Sequence, residues 1–192
     1  KEEKMMNAVL VSAIDHGVAV PSAFVPRVVV SAGNDINVAI ASGALAISDK
    51  HGGAIEKAMR LFQQKHEPAS VVFDFLEHKK QLPGYGHKVY KNEDPRARVL
   101  LQKAEELRFG SVYTAKALDI ERELEKQKGR KLPLNIDGAI AALLCEMGFD
   151  ARIGKAIFIL ARIPSMIANV IEEMDEGKTY RRLDDGDIEY VG

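Results

Sequence analysis

Apolar positions along this chain of 192 residues recur three and four apart, the period of a helix face, and nowhere alternate long enough to define paired strands. Pro21 predicts the first turn of a helix that Pro26 is expected to end or bend. The run Val28-Val29-Val30 would suit a short strand; with no alternating run to pair with, it is read as buried helix. Asn34 predicts the cap of an Ala-rich helix to about Ile47, broken by Ser48-Asp49-Lys50-His51-Gly52-Gly53. Ile55, Ala58, Met59 and Phe62 predict a helix from Ala54 to about Lys65. Ser70 predicts the cap of the next, with Val72, Phe75 and Leu76 inward and Glu77, Lys79 and Lys80 in water.

After a loop from Leu82 to Asp94, the pair Asp94-Pro95 predicts a helix start, a capping carboxylate ahead of a first-turn proline. Leu100, Leu101, Ala104 and Leu107 form its stripe and Gly110 its stop. Further helices are predicted from about Val112 to Lys128, stopped by Gly129, and from Asp137-Gly138 to Met147, stopped by Gly148. The last runs from about Arg152 to Glu176, with Leu160, Ile163, Ile167, Val170 and Met174 as its stripe and a kink expected at Pro164. The polar tail, Gly177 to Gly192, carries no stripe. The expected fold class is all-α.

Composition agrees with that class. Apolar residues at 46% and charged ones at 29% are ordinary for a globular chain, and 23 alanines with no tryptophan favour helix over sheet. Lys+Arg at 27 against Asp+Glu at 28 leaves a net charge of −1, so neither nucleic acid nor a membrane is expected as a partner. Asp15, Arg27, Asp35 and Asp49 interrupt the apolar first quarter, and no membrane span is expected. The single Cys145 cannot form an internal disulfide, which fits a reducing, cytoplasmic setting. Lys1 in place of an initiator methionine leads us to expect a processed chain, or one that begins partway through a longer protein.

Candidate chemistry sits at the helix junctions. His16 precedes Gly17, His51 precedes Gly52-Gly53, and His87 follows Gly84-Tyr85-Gly86, so each imidazole stands where side-chain bulk is missing. Asp137 lies at a helix start in Asn135-Ile136-Asp137-Gly138, and Arg96 and Arg162 lie on helices. Singly, such a His is more often a cap or packing residue than a catalyst, a DG pair before a helix is usually a cap, and an Arg in an apolar helix is often a salt-bridge partner. No His pair has metal-ligand spacing, so no metal is expected, and no G-x-S-x-G elbow or phosphate loop occurs.

Together these residues resemble citrate synthase and its relatives. The resemblance rests on Asp15-His16, His51-Gly52-Gly53-Ala54, the run Gly84-Tyr85-Gly86-His87-Lys88-Val89-Tyr90-Lys91-Asn92-Glu93-Asp94-Pro95-Arg96-Ala97, and Asn135-Ile136-Asp137, and extends to Tyr180-Arg181. It covers the later part of that family's length, so the family's N-terminal helices are not expected here. It implies a helical fold of two domains with the active site in the cleft between them. Residues 52–147 would be the small domain, with 1–51 and 148–192 part of the large one. A homodimer with a shared active site is implied as well.

By resemblance Asp137 is the base that takes a proton from the acetyl methyl group, and His51 the donor to the thioester oxygen. His87 would polarise the ketone of oxaloacetate. His16, Arg96, Arg162 and Arg181 look like the carboxylate-binding set, with Arg181 reaching across the dimer. The residue types suit that chemistry, since a weakly acidic carbon needs a held carboxylate and an oxyanion donor, and a guanidinium grips a carboxylate with two bonds. Coenzyme A, the acyl carrier, brings phosphates that need cations. Lys91, Lys126, Lys128, Arg130 and Lys131 are candidates, and the cluster reads equally as a solvated helix C-terminus.

Within the family, Asp15-His16-Gly17, Asp49-Lys50-His51-Gly52-Gly53-Ala54, Leu134-Asn135-Ile136-Asp137-Gly138 and the ending Asp187-Ile188-Glu189-Tyr190-Val191 resemble the citryl-CoA lyase module of ATP-citrate lyase. His51 and the intact run Tyr90 to Arg96 resemble the synthases instead. The leading expectation is a citryl-CoA lyase that splits citryl-CoA into acetyl-CoA and oxaloacetate. Citrate synthase or 2-methylcitrate synthase is the close alternative, and a non-catalytic helical partner subunit the remote one.

Overall fold

A computed structural model describes residues 1–177, 180–182, 184–187 and 189. Among these there are nine α-helices and no strand: α1 Glu2–Ser12, α2 Pro21–Ser31, α3 Ile36–Leu45, α4 Ala54–Gln63, α5 Pro68–Glu77, α6 Pro95–Glu106, α7 Val112–Lys128, α8 Ile136–Glu146 and α9 Ile153–Glu176. Of the lyase-like ending, Ile188, Tyr190 and Val191 lie outside the described residues.

The chain forms two compact units, one of residues 1–13 and 48–161, the other of 14–47 and 162–192. Residues 48–51 join the first unit because Ser48 and His51 exchange backbone hydrogen bonds (2.8 and 3.0 Å) in a turn leading directly into α4. The start of α9 joins it because Gly154 lets its backbone approach that of Glu56 on α4; a Cβ there would stand 2.8 Å from the Glu56 nitrogen.

In the first unit α8 is the central element. Nine of its eleven residues are buried, Gly138 to Cys145 without a break, so it is apolar all round, as a helix enclosed by others must be. Helices α4, α6 and α7 pack on it, α5 packs on α7, and α1 on α6. The fully buried Ile140, Leu143 and Leu144 each contribute about 1.5–3 kcal/mol of burial. In the second unit α2 packs on α3.

Several elements differ from the sequence expectation. Of the two outcomes expected at Pro26, an end or a bend, the end does not occur, since α2 continues to Ser31. Gly43 of α3 makes room for the proline ring: a Cβ at Gly43 would lie 2.6 Å from the Pro26 Cγ. The residue at the cap position of α3 is Asp35 rather than Asn34, whose side-chain amide donates to the Val29 carbonyl (3.0 Å). Helix α5 begins at Pro68 after Glu67, so Ser70 lies inside it, because proline at the first helical position sets the start. Asn135, not Asp137, caps α8.

On α9 the apolar stripe read from the sequence is only partly the buried face: its member Val170 is buried as expected. Leu160, Ile167 and Met174 are exposed, whereas Phe158, Ala161, Met166 and Val170 are buried together with the polar Arg162, Asn169 and Glu173. Over its most apolar 18 residues this 24-residue helix has mean hydropathy 1.4, enough by length and composition to cross a membrane, contrary to the expectation of no such run. A core helix passes the same test, and α9 buries three polar side chains of its own.

Candidate active site

The loop carrying His87 is joined directly to the helix start carrying Asp137. Asn135 donates from its backbone N–H to the Gly84 carbonyl (3.0 Å), and Gly86 donates to the Pro133 carbonyl (2.8 Å). The Asn135 side chain completes the join, accepting from the Gly138 N–H (3.1 Å) and donating to the Gly86 carbonyl (2.9 Å). Such an approach requires glycine on both sides. Gly84 has φ +88°, and a Cβ on Gly138 would stand 2.4 Å from the Gly84 oxygen. Asp137 follows in the first turn of α8, where the helix dipole favours negative charge.

Asp94 makes the second join. Its carboxylate, fully buried, caps α6 by accepting from the Arg96 N–H (3.1 Å) and also accepts from the Ile136 N–H at the start of α8 (3.0 Å). The same carboxylate grips the Arg96 guanidinium through Nε (3.1 Å) and Nη2 (2.9 Å). Burial alone would raise the Asp94 pKa; the hydrogen bonds and charge of Arg96 with the Ile136 N–H outweigh it and hold the carboxyl below its ordinary value.

The electronic state of His87 follows from its surroundings. Its Nδ1 accepts from the backbone N–H groups of Val89 and Tyr90 (both 3.1 Å), and its ring stacks on Tyr90 with centroids 4.7 Å apart. An Nδ1 filled by donors assigns the neutral ring's hydrogen to Nε2. Nε2 stands 3.3 Å from Arg96 Nη2. Burial first, then the Arg96 and Lys91 charges, lower the His87 pKa against the opposing pull of Asp94. A neutral imidazole N–H therefore stands beside a guanidinium, a pair suited to an oxygen that gains negative charge.

His51 lies half-buried in the first unit, its ring edge-on to Phe158 (5.8 Å between centroids, 89°). Its loop is tight: Gly52 has φ +87°, and a Cβ at Gly53 would stand 2.8 Å from Asp49 Cα.

The first unit thus holds His51, His87, Arg96 and Asp137, while His16, Arg162 and Arg181 belong to the second. His16 is exposed between Asp15 and Gly17. The Asp15 carboxylate accepts from the Ser165 hydroxyl (2.6 Å) and the Gly17 N–H (3.0 Å). The Ser165 hydrogen bond is the largest influence on it and keeps its pKa below the ordinary value. Arg162 is buried on α9, and Arg181 lies against Glu173 and Glu176.

A cavity of about 570 Å³ opens beside the His87 loop in the first unit, bounded by residues 83–88, Asn135 and the cations Lys57, Lys80, Lys88, Lys128 and Arg130. Of the candidate coenzyme A residues, Lys128 and Arg130 line it. Lys91, Lys126 and Lys131 do not: Lys91 Nζ donates to the Lys88 carbonyl (2.7 Å), Lys126 pairs with Glu123 (3.3 Å), and Lys131 borders a smaller cavity of about 230 Å³. Lys57, Lys80 and Lys88, which also line the larger cavity, are not among the coenzyme A candidates the sequence offers. Lys80 reads there as part of a solvated helix face, and nothing local marks it. Asp94 and Asn135 were legible only as a cap and a motif residue; their joining roles depend on partners far along the chain.

The family model for the C-terminal domain of citrate synthase matches residues 1–183. The chain belongs to the citrate synthase family. It is 30% identical over 188 residues to citrate synthase 2 of Bacillus subtilis, matching 94% of this chain and 50% of that protein, so it spans about half the length of that relative. All of it superposes on 77% of the structure of citryl-CoA lyase from Hydrogenobacter thermophilus, with TM-score 0.96 and 48% identity. ATP citrate lyase from Methanothrix soehngenii, solved with citrate and coenzyme A, matches 98% of this chain and 34% of that one, with TM-score 0.86 and 28% identity.

Proposed function

We propose that this protein is a citryl-CoA lyase, cleaving citryl-CoA to acetyl-CoA and oxaloacetate. The observation that carries the reading is the arrangement of His87, Arg96 and the Asp137 helix start around buried Asp94. It gives a neutral N–H donor and a cation beside the place where a carboxylate can meet carbon. The higher identity to the Hydrogenobacter citryl-CoA lyase, 48% against 30% for the Bacillus synthase, favours cleavage as the direction.

In this reading a base removes the hydroxyl proton of citryl-CoA, and His87 Nε2–H with Arg96 stabilises the alkoxide. The alkoxide collapses to the ketone of oxaloacetate as the carbon–carbon bond breaks. The bonding electrons pass to the acetyl-CoA enolate, whose oxygen His51 steadies, and protonated Asp137 returns a proton to its carbon. His16, Arg96, Arg162 and Arg181 carry the substrate carboxylates. Coenzyme A takes the cavity beside the His87 loop, its phosphates on Lys128, Arg130 and the neighbouring lysines. We extend the proposal to a small domain of residues 52–147 with the flanking segments in the large one, a homodimer, and a cytoplasmic setting.

Condensation of an acyl-CoA with oxaloacetate is the second reading, favoured by the retention of His51 and by the Bacillus synthase relative. Purified protein supplied with citryl-CoA, and separately with acetyl-CoA or propionyl-CoA and oxaloacetate, separates the two. Fast cleavage with negligible citrate release supports the lyase; efficient citrate or methylcitrate release overturns it. A protein inert with every substrate set supports the non-catalytic subunit instead.

A further inference from the structure

A continuous polar seam runs along α9 within the second unit. Arg162, Ser165, Asn169 and Glu173 recur three and four residues apart on this helix, which places them on one face. Ser165 donates to Asp15 and so holds the loop of His16 (2.6 Å). The Ser165 carbonyl accepts from Asn169 Nδ2 (2.8 Å), and Asn169 Oδ1 accepts from Arg27 Nη1 (3.2 Å). Arg27 Nε donates to Glu173 Oε2 (2.7 Å), and the same oxygen accepts from Arg181 Nε (2.9 Å) and Nη2 (2.5 Å). The Arg181 N–H also donates to the Ser31 hydroxyl on α2 (2.8 Å).

At the centre stands Glu173, 3% exposed, between Arg27, 5% exposed, and Arg181. Buried ion pairs are a poor source of net stability, because desolvation offsets most of the attraction and apolar packing serves as well. What such a pair does supply is orientation. Glu173 grips Arg181 along its Nε–Nη2 edge, a geometry that fixes the guanidinium plane. Nη2 also reaches Glu176 Oε2 (3.4 Å), and among the described residues no bond is made by Nη1 itself. Arg27 in turn fixes Glu173, with Glu172 and Glu176 completing the surroundings of its guanidinium.

We propose that Glu173, held by Arg27, is a positioning residue that sets the Arg181 guanidinium so that its Nη1 edge meets a substrate carboxylate. The inference rests on the reading of Arg181 as a carboxylate-binding residue. Glu173 is ionised for this role at neutral pH: burial would raise its carboxyl, and the hydrogen bonds from Arg181 and Arg27 outweigh burial and lower it.

Calorimetric binding of citrate, and separately of coenzyme A, to the full chain tests the proposal with wild type, Glu173→Gln, Arg181→Gln and the double variant. Glu173→Gln is expected to weaken citrate about tenfold, to leave coenzyme A unchanged, and to add less than about twofold when Arg181 is already Gln. If Glu173→Gln lowers the melting temperature yet leaves citrate affinity as in wild type, the role is structural and the inference falls. Equal weakening with and without Arg181 overturns it too. A wild type that binds coenzyme A but no citrate removes the carboxylate-site reading itself, and this inference with it. Should Glu173→Gln fail to fold, Arg181→Lys carries the test. It keeps the charge but cannot be gripped along an edge, so it is expected to bind citrate as poorly as Arg181→Gln; wild-type affinity there overturns the proposal.

Discussion

Asp94 accepts a hydrogen bond from the backbone N–H of Ile136, 42 residues further along the chain, at 3.0 Å. One buried carboxylate thereby caps α6, orients Arg96 and fixes the start of the helix that bears Asp137. Removing it should disturb three things together. Asp94→Ala leaves the Arg96 guanidinium and the Ile136 N–H without this partner, an expected loss of about 2–4 kcal/mol in urea unfolding after discount for the part-exposed Arg96. The pH dependence has a definite sign. The folded pKa is below the unfolded one, so the stabilisation is present above the unfolded value and is lost as pH falls through the folded value. In Asp94→Asn that part of the acid-induced loss should be absent.

His87 should titrate below its ordinary value of 6.5, since burial and the neighbouring cations disfavour imidazolium. Arg96→Gln removes one of those cations and leaves the Asp94 charge, so the His87 midpoint should move upward. NMR titration of the ring carbon proton reads this without any assumption about activity. An unchanged or lower midpoint in the variant would mean that Arg96 does not govern the charge state of His87.

Gly138→Ala sets two effects against each other. Alanine gains about 1 kcal/mol over glycine in a helix interior. Its methyl group would stand 2.4 Å from the Gly84 oxygen and 2.6 Å from Leu134 Cδ1, an overpacking that costs about 1–3 kcal/mol. Because the nearer atom is backbone, the cost should win. The variant is expected to unfold at lower urea and to lose turnover beyond its stability loss, as the His87 loop is pushed from α8. A more stable, fully active variant would show that the two backbones can separate freely.

The cavity cations should act through binding rather than chemistry. Lys80→Ala combined with Arg130→Ala is expected to raise KM for the CoA thioester about tenfold or more, with kcat little changed, an effect that shrinks with added salt. Lys126→Ala, paired to Glu123 away from the cavity, should leave KM unchanged. The reverse ranking would move coenzyme A elsewhere.

What was legible in the sequence was local. Gly129 takes the left-handed conformation (φ +67°) and ends α7 where expected, and the Asp94-Pro95 pair starts α6 as read. Those signals lie within a turn of what they control. The caps misplaced at Asn34 and Ser70 had equally local competitors, Asp35 and Pro68, and spacing alone does not rank them. On α9 the apolar period placed Val170 correctly but misled at Leu160, Ile167 and Met174, because the buried face also carries Arg162, Asn169 and Glu173, which a hydrophobic pattern assigns to solvent. Asn169 and Glu173 are buried with a shared partner, Arg27, which lies 146 positions from Glu173. The candidate site residues stand out in the sequence as glycine-flanked histidines and a helix-start aspartate; the bonds that join their loops span too much chain to be read from it.

The most direct measurement is the turnover of Asp137→Asn, with citryl-CoA and with acetyl-CoA plus oxaloacetate, against wild type at matched fold content. If Asp137 exchanges the proton at carbon, whichever activity the wild type has should fall by about 10²–10⁴ in kcat, with citrate affinity preserved. Turnover equal to wild type in a folded Asp137→Asn protein would contradict the account.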